Sequence, residues 1–281
     1  MSENDENGHT NDGTERRAPT LGERFAALWR TDDDRTRTRR GRPARVSRRQ
    51  IVDAGVAIAD ADGLDAVSMR SVAKSLGVGA MTLYSHVPGR AELVDAMIDA
   101  AYADFVAPEP DSPWREALEQ YARGGWDLLT RHPWLLDVNA WRLPLGPHIF
   151  AFQEAGYRAL VDTGLTGPQV VESIGIVDSM VQSLVRSSLA EAADSRDGID
   201  YATYWNSTGE FWENTFEPHR FPSMTRLWAI GAFDTSAVPF QLRIGGLLDS
   251  LQLLVDDARA RGGTRIPQVD ECLAEMERPE R

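Results

Sequence analysis

The chain has 281 residues, 42% of them hydrophobic and 26% charged, with a formal net charge of −13. That balance belongs to a globular protein with room for a small domain and a medium one, or for a single large one. No apolar run approaches the ~20 residues that span a bilayer, and nothing near the start has the basic-then-apolar order of a secretion signal. The one cysteine, Cys272, excludes an internal disulfide and a thiolate zinc cluster. The cytoplasm is the expected compartment.

The acidic total conceals an uneven distribution. Eight arginines fall between Arg35 and Arg49 with no carboxylate among them. Residues 35–105 hold eleven Arg/Lys against eight Asp/Glu, a net of +3, while the remainder holds 19 against 35. Salt screens charge beyond about 8–10 Å, so a concentrated basic arm attracts phosphates even on an acidic protein.

In chain order, residues 1–46 read as a disordered extension, polar and acidic first and arginine-rich afterwards. Within it, two helical turns over 21–29 would put Leu21, Phe25, Leu28 and Trp29 along one side. Ser47 opens the first long helix: Ser47 and Gln50 have capping-box spacing. Ile51, Ala54, Gly55 and Ile58 follow at three- and four-residue steps, and Gly63 stands where a helix ends. Ser68 then caps a second helix carrying Val72, Ala73 and Leu76, and Gly77 stops it. A third, short helix runs from about Ala80 to His86 and ends at Pro88-Gly89. A fourth, from about Arg90, aligns Leu93, Met97, Ala100 and Phe105. After the proline-rich link 107–113 the pattern stays helical, with long apolar helices expected near 168–193 and 238–261. No alternating pattern argues for a strand. The expected fold is all-α: a three-helix helix-turn-helix domain with its connecting helix over 47–105, and a larger helical domain over 106–281.

Helix-turn-helix units brace a reading helix in the major groove with a first helix at a steep angle. That geometry needs a small residue at the crossing and a residue tolerant of positive φ in the turn. Ala73 and Gly77 fill these roles, with Val72, Leu76, Val78 and Leu83 as the small core between the helices.

Residues 47–105, and above all Ser68-Met-Arg-Ser-Val-Ala-Lys-Ser-Leu-Gly-Val-Gly-Ala-Met-Thr-Leu-Tyr-Ser-His-Val87, resemble the TetR family of transcriptional regulators. The Thr82-Leu-Tyr-x-His-Val stretch is specific to that family, and Arg131-His-Pro-Trp134 is similar to a segment of its Tet repressor branch. The resemblance implies a dimer of all-α subunits on a palindromic double-stranded DNA operator, regulated by a small effector in the larger domain. It also implies that Gly79, Ala80 and Met81 sit at the tip of the reading helix. Small and apolar, they suit methyl contacts and shape readout.

Around that tip, Thr82 and Tyr84 lie two apart on the short helix, each with a hydroxyl for a phosphate. Arg70 is the candidate for a guanine or phosphate contact. His86 and Arg90 are expected at phosphates, Arg90 beside a helix start that attracts anions. Arg42, Arg45 and Arg48 add flanking phosphate or minor-groove contacts, with Ser68 at the edge of the same surface.

Eight tryptophans, seven of them after residue 113, offer the large apolar surface that lines pockets for drug-sized molecules. Trp126, Trp141, His148, Phe152, Met180 and Trp205 are the candidate lining residues. The Tet repressor branch holds its drug through magnesium, using a histidine five residues before a proline that aligns with Pro144. This chain has Asn139 there, so neither a magnesium-tetracycline ligand nor any other cofactor is expected. The scattered histidines show no metal-ligand spacing. The helices near 168–193 and 238–261 are the expected dimer face, with Gly245-Gly246 suited to close approach.

Enzymatic function is not expected: there is no glycine-rich phosphate loop, no nucleophile elbow and no paired carboxylates in a recognisable frame. Two readings of the second domain stay open. It either binds an effector, or it only dimerises or holds a protein partner; an enclosed apolar cavity would favour the former, a filled domain the latter.

Overall fold

The computed structural model describes residues 19–30, 46–139, 142–233 and 240–277. Among them the chain forms thirteen α-helices and no strand. The all-α expectation holds.

Helix α1 (Leu21–Ala26) is closed by a capping box between Thr20 and Glu23. The helix falls within the 21–29 stretch where two helical turns are expected inside the otherwise disordered 1–46 extension. Leu28 is buried, Arg24 meets Asp95 at 2.5 and 2.9 Å, and the Trp29 indole N–H donates to the Leu145 carbonyl at 2.8 Å. Two helical turns too short to be stable alone are held by tertiary contacts.

The head comprises α2 (Arg48–Asp62), α3 (Met69–Ser75), α4 (Ala80–Tyr84) and α5 (Arg90–Ala101). Ser47 Oγ accepts from the Gln50 N–H while Gln50 Oε1 accepts from the Ser47 N–H, the expected capping box. Gly63 ends α2 at φ +83°. In α3 the reciprocal cap runs between Ser68 and Ser71. The turn after α3 is a Schellman closure: the Val78 N–H donates to the Ala73 carbonyl at 3.0 Å and the Gly77 N–H to the Lys74 carbonyl at 3.2 Å. It requires the left-handed φ of +64° that Gly77 adopts. Ile51, Val72, Leu83, Leu93 and Met97 fill the head core. Gly55 makes room for α5, because a β-carbon there would lie 2.7 Å from Met97 Sδ.

The second domain is built on α6 (Trp114–Arg131), α7 (Pro147–Leu160), α8 (Gly167–Arg196) and α12 (Phe240–Ala260). Helix α6 packs on the other three around Leu118, Tyr121, Leu160, Leu165, Ile244 and Leu248. Between α8 and α12 lie the short helices α9 (Tyr201–Ser207), α10 (Gly209–Asn214) and α11 (Pro222–Ala229). Their rings pack on one another, Trp212 stacking on Trp228 at 6.3 Å, yet Trp205, Phe211 and Trp228 stay exposed. A last helix, α13 (Val269–Met276), buries none of its residues.

Two carboxylates of the head reach across the junction. Asp60 of α2 contacts His132 Nδ1 and accepts from the Trp134 indole N–H, both at 2.7 Å. Asp99 of α5 is buried at the start of α7, whose own N-cap, Gly146, has no side chain to offer. Its Oδ1 accepts from the backbone N–H groups of His148 and Ile149 at 3.0 and 3.2 Å, and its Oδ2 lies 2.9 Å from His148 Nδ1. A helix N-terminus leaves N–H groups unsatisfied and carries partial positive charge, so a carboxylate there is doubly stabilised. His148 is consequently a junction residue, not the cavity-lining residue expected of it.

A β-carbon at Gly146 would stand 2.1 Å from Asp99 Oδ1. Gly146→Ala is expected to lower the unfolding free energy by about 1–3 kcal/mol in urea denaturation. Gly22→Ala in α1, where a β-carbon meets nothing within 4 Å, is the control and should hold or raise stability.

Candidate nucleic-acid interface and cavity

The short helix α4 presents one residue inward and its neighbours outward. Leu83 is fully buried, whereas Met81 is 81% and Tyr84 45% exposed. Gly79 is exposed, and Ala80 and Thr82 are half-buried beside them. Arg70 and Lys74 on α3 are exposed as well. Tyr84, His86 and Arg48 border one surface depression, shared with Arg30 and Glu23 of the α1 segment. The structure thus brings Arg48, from the start of α2, onto one surface with Tyr84 and His86. Arg42 and Arg45 lie outside the described residues.

Two expected members of this face are otherwise employed. Arg90 Nε donates to the Val67 carbonyl at 2.7 Å and its terminal amine to the Leu64 carbonyl at 2.9 Å. It braces the short 3-10 turn before α3, because open carbonyls there offer acceptors within reach of the α5 start. Ser68 has its backbone N–H and its hydroxyl committed to Ser71 in the α3 cap. Its role is to start the bracing helix.

The second domain holds a cavity of about 340 Å³ between α6, α7, α8 and the end of α5. Tyr102, Tyr121, Leu128, Ile149 and Phe152 are among its walls, and Gln153, Asp178, Ser179 and Gln182 are its other polar ones. Phe152 centres an aromatic cluster, 4.5 Å from Tyr121, 4.7 Å from Phe105 and 5.2 Å from Tyr102 between ring centroids. The cluster closes because α6 carries Gly124, where a β-carbon would lie 2.5 Å from the Phe105 ring.

Of the expected lining residues, Phe152 takes its place in this wall. Trp126 sits elsewhere, against Phe240 at 4.8 Å in a small depression between α8 and α12. Trp205 borders a shallow depression at the end of α8. Met180 packs half-buried against the core and is absent from the cavity walls. Trp141 lies outside the described residues.

The residue that sequence reading missed is Asp178. It stands in the apolar run of α8, one step from the buried Val177 and four from the buried Ile174. A carboxylate at that register was the available signal. The Tyr121 hydroxyl donates to its Oδ1 at 2.9 Å. Burial pushes the Asp178 carboxyl up to about 6, against the pull of that hydrogen bond. Burial and the neighbouring Asp178 likewise raise the Tyr102 phenol to about 12, and the Tyr121 phenol is raised by the same causes.

An outward-facing short helix, braced through a Schellman turn on a second helix and carried on a helical body, is the helix-turn-helix arrangement of DNA-binding proteins. Comparison with known proteins says which kind. Residues 51–97 match the family model described as bacterial regulatory proteins, tetR family, and residues 107–244 that described as tetracyclin repressor-like, C-terminal domain. The HTH-type transcriptional repressor DrrR1 of Streptomyces coeruleorubidus is 37% identical over 235 residues, covering 83% of this chain and 86% of that protein. Tetracycline repressor protein class E of Escherichia coli is 28% identical over 160 residues, covering 54% of this chain and 72% of that one. In fold, the chain is similar to apo ActR from Streptomyces coelicolor, with a TM-score of 0.62 at 24% identity over 77% of this chain and 100% of that one. The chain belongs to the TetR family of transcriptional regulators.

Asp178 binds its proton more tightly in the folded protein than at the 3.8 of a free carboxyl. Its ionisation therefore costs stability above about pH 6, and the cost is relieved as pH falls from about 6 towards 4. Asp178→Asn is expected to raise stability by roughly 1–3 kcal/mol at about pH 7.5 and to leave it unchanged near pH 4. Urea midpoints across that range check this, and a gain that persisted at low pH would contradict it.

Proposed function

We propose that the protein is a ligand-responsive repressor that binds a palindromic operator as a homodimer and leaves it when a small effector occupies the cavity. The observation that carries this reading is a shared wall. Tyr102, just past the end of α5, and Ile149, whose backbone N–H is held by Asp99 of α5, both line the cavity. An occupant that moves either one acts on the helix that carries the reading head. It shifts the head only if it binds the two arrangements with unequal affinity. ActR, similar in fold, has been crystallised with actinorhodin, and the name of DrrR1 describes a repressor. A filled second domain would have favoured the alternative of dimerisation alone.

In this reading residues 47–105 are the DNA-binding unit and 106–281 the effector and dimer unit, working in the cytoplasm. No helix among the described residues is long and apolar enough to cross a membrane. Dimerisation runs through α8 and α12. Val171 and Ile176 on the first and Leu242 and Leu253 on the second are exposed in the protomer, and β-carbons at Gly245 and Gly246 would meet nothing within 4 Å. A twofold axis there would set two α4 helices about 34–36 Å apart, one turn of DNA. Gly79, Ala80 and Met81 then meet base edges, Thr82, Tyr84 and His86 the phosphates, and Arg70 either. Arg48 with Arg42 and Arg45 extends the contact along the backbone.

Duplexes selected from a random pool by the full-length protein supply the operator. Tyr84→Ala should weaken binding to them by about 1–2 kcal/mol in fluorescence anisotropy, with helical circular dichroism and dimer mass intact; unaltered affinity would remove the phosphate role. A chain beginning at Ser47 should bind more weakly and with a flatter dependence of log affinity on log salt. An unchanged slope would make the arginine arm a bystander.

A further inference from the structure

We propose that the cavity selects a flat aromatic effector bearing a protonated amine, which Asp178 receives through its Oδ2. This rests on the cavity being the effector site and adds the chemistry of what enters it.

Asp178 is the one charged residue among the described walls, and no lysine, arginine or histidine accompanies it. Its Oδ1 is occupied by the Tyr121 hydroxyl, and no donor among the described residues reaches its Oδ2. The other groups around Asp178 and Tyr121 bring no positive charge: Tyr102 past the end of α5, Tyr157 and Gln153 on α7, and Ser179 and Gln182 on α8. A partly buried carboxylate with one hydrogen bond and no counter-charge is left costly by the fold. A cationic donor removes that cost and adds a charge-assisted hydrogen bond. A neutral alcohol offers only the weaker bond, and an anion is repelled.

The rest of the cavity supplies the shape. Tyr121 and Phe152 meet at 4.5 Å with their planes 32° apart, and Tyr102 turns its ring at 70° to Phe152. Aliphatic side chains at Leu128, Leu129, Val138 and Leu143 add to its apolar walls. Such walls favour a planar ring body in offset or edge contact. Because the raised Asp178 carboxyl titrates at about 6, amine binding should strengthen as pH rises through that region.

The test uses three tricyclic probes that share an anthracene ring: anthracenylmethylamine, anthracenemethanol and anthracenecarboxylic acid. Each is titrated into the full-length protein by fluorescence at about pH 7.5, where the amine is expected to bind at least about tenfold tighter than the alcohol and the acid weakest of all. Asp178→Asn should level the amine and the alcohol, whereas Tyr121→Phe, which frees Oδ1 but keeps the charge, should preserve the preference. Circular dichroism verifies that both variants are folded. Equal affinities of amine and alcohol in the natural chain, or an amine preference that survives Asp178→Asn, overturn the charge selection while leaving the cavity as the site. Failure of all three probes to bind, or binding indifferent to Gly125→Leu, which projects a side chain into the cavity, overturns the cavity reading along with it.

Discussion

The contact on which the rest of the molecule turns is Asp99 at the N-terminus of α7. It is a carboxylate on the helix that leaves the head, and it satisfies backbone N–H groups that begin a helix of the body. Neither partner has a substitute nearby: α7 opens on Gly146 and Pro147, without a side-chain cap of its own. Removing either side would strand a buried charge or buried donors, each worth about 1–3 kcal/mol. The bond therefore makes the position of α5 a property of both domains at once. Asp60, holding His132 and Trp134, ties the other end of the head to the loop after α6.

The α1 segment adds a third attachment. Arg24 pairs with Asp95 on α5, while Trp29 reaches the Leu145 carbonyl and packs on Phe150 at 5.8 Å. It thereby spans the same junction as Asp99, on the outer side. Burial still leaves the Asp95 carboxyl above its ordinary value despite the guanidinium beside it. A stretch of acidic and basic tail is thus fastened onto the hinge between the two domains, next to the face carrying Tyr84 and His86.

The head was legible because its signals are local. Ser47 with Gln50 and Ser68 at the start of α3 cap helices within four residues, and Gly63 and Gly77 end them by backbone conformations other residues resist. The long helices α8 and α12 announced themselves through apolar periodicity over many turns. Less legible was the use of polar side chains. Arg90 looked like a phosphate ligand from its place at a helix start, but carbonyls twenty-three and twenty-six residues earlier claimed it. His148 is a candidate cavity-lining residue by sequence, and a carboxylate forty-nine residues away claims its ring and its N–H.

The cavity shows the same division most sharply. Composition announced aromatic material in the second domain, yet Trp126 and Trp205 went elsewhere, while Tyr102, Tyr121 and Asp178 came together from three helical segments. What the sequence determined by itself were the elements, the reading motif and the family, since these depend on residues within a turn or two of each other. Only the tertiary structure decided which polar groups would face one another across α5, α6, α7 and α8. Hydrogen bonds and burial act through space, and helix periodicity does not record the rotation at which two helices meet.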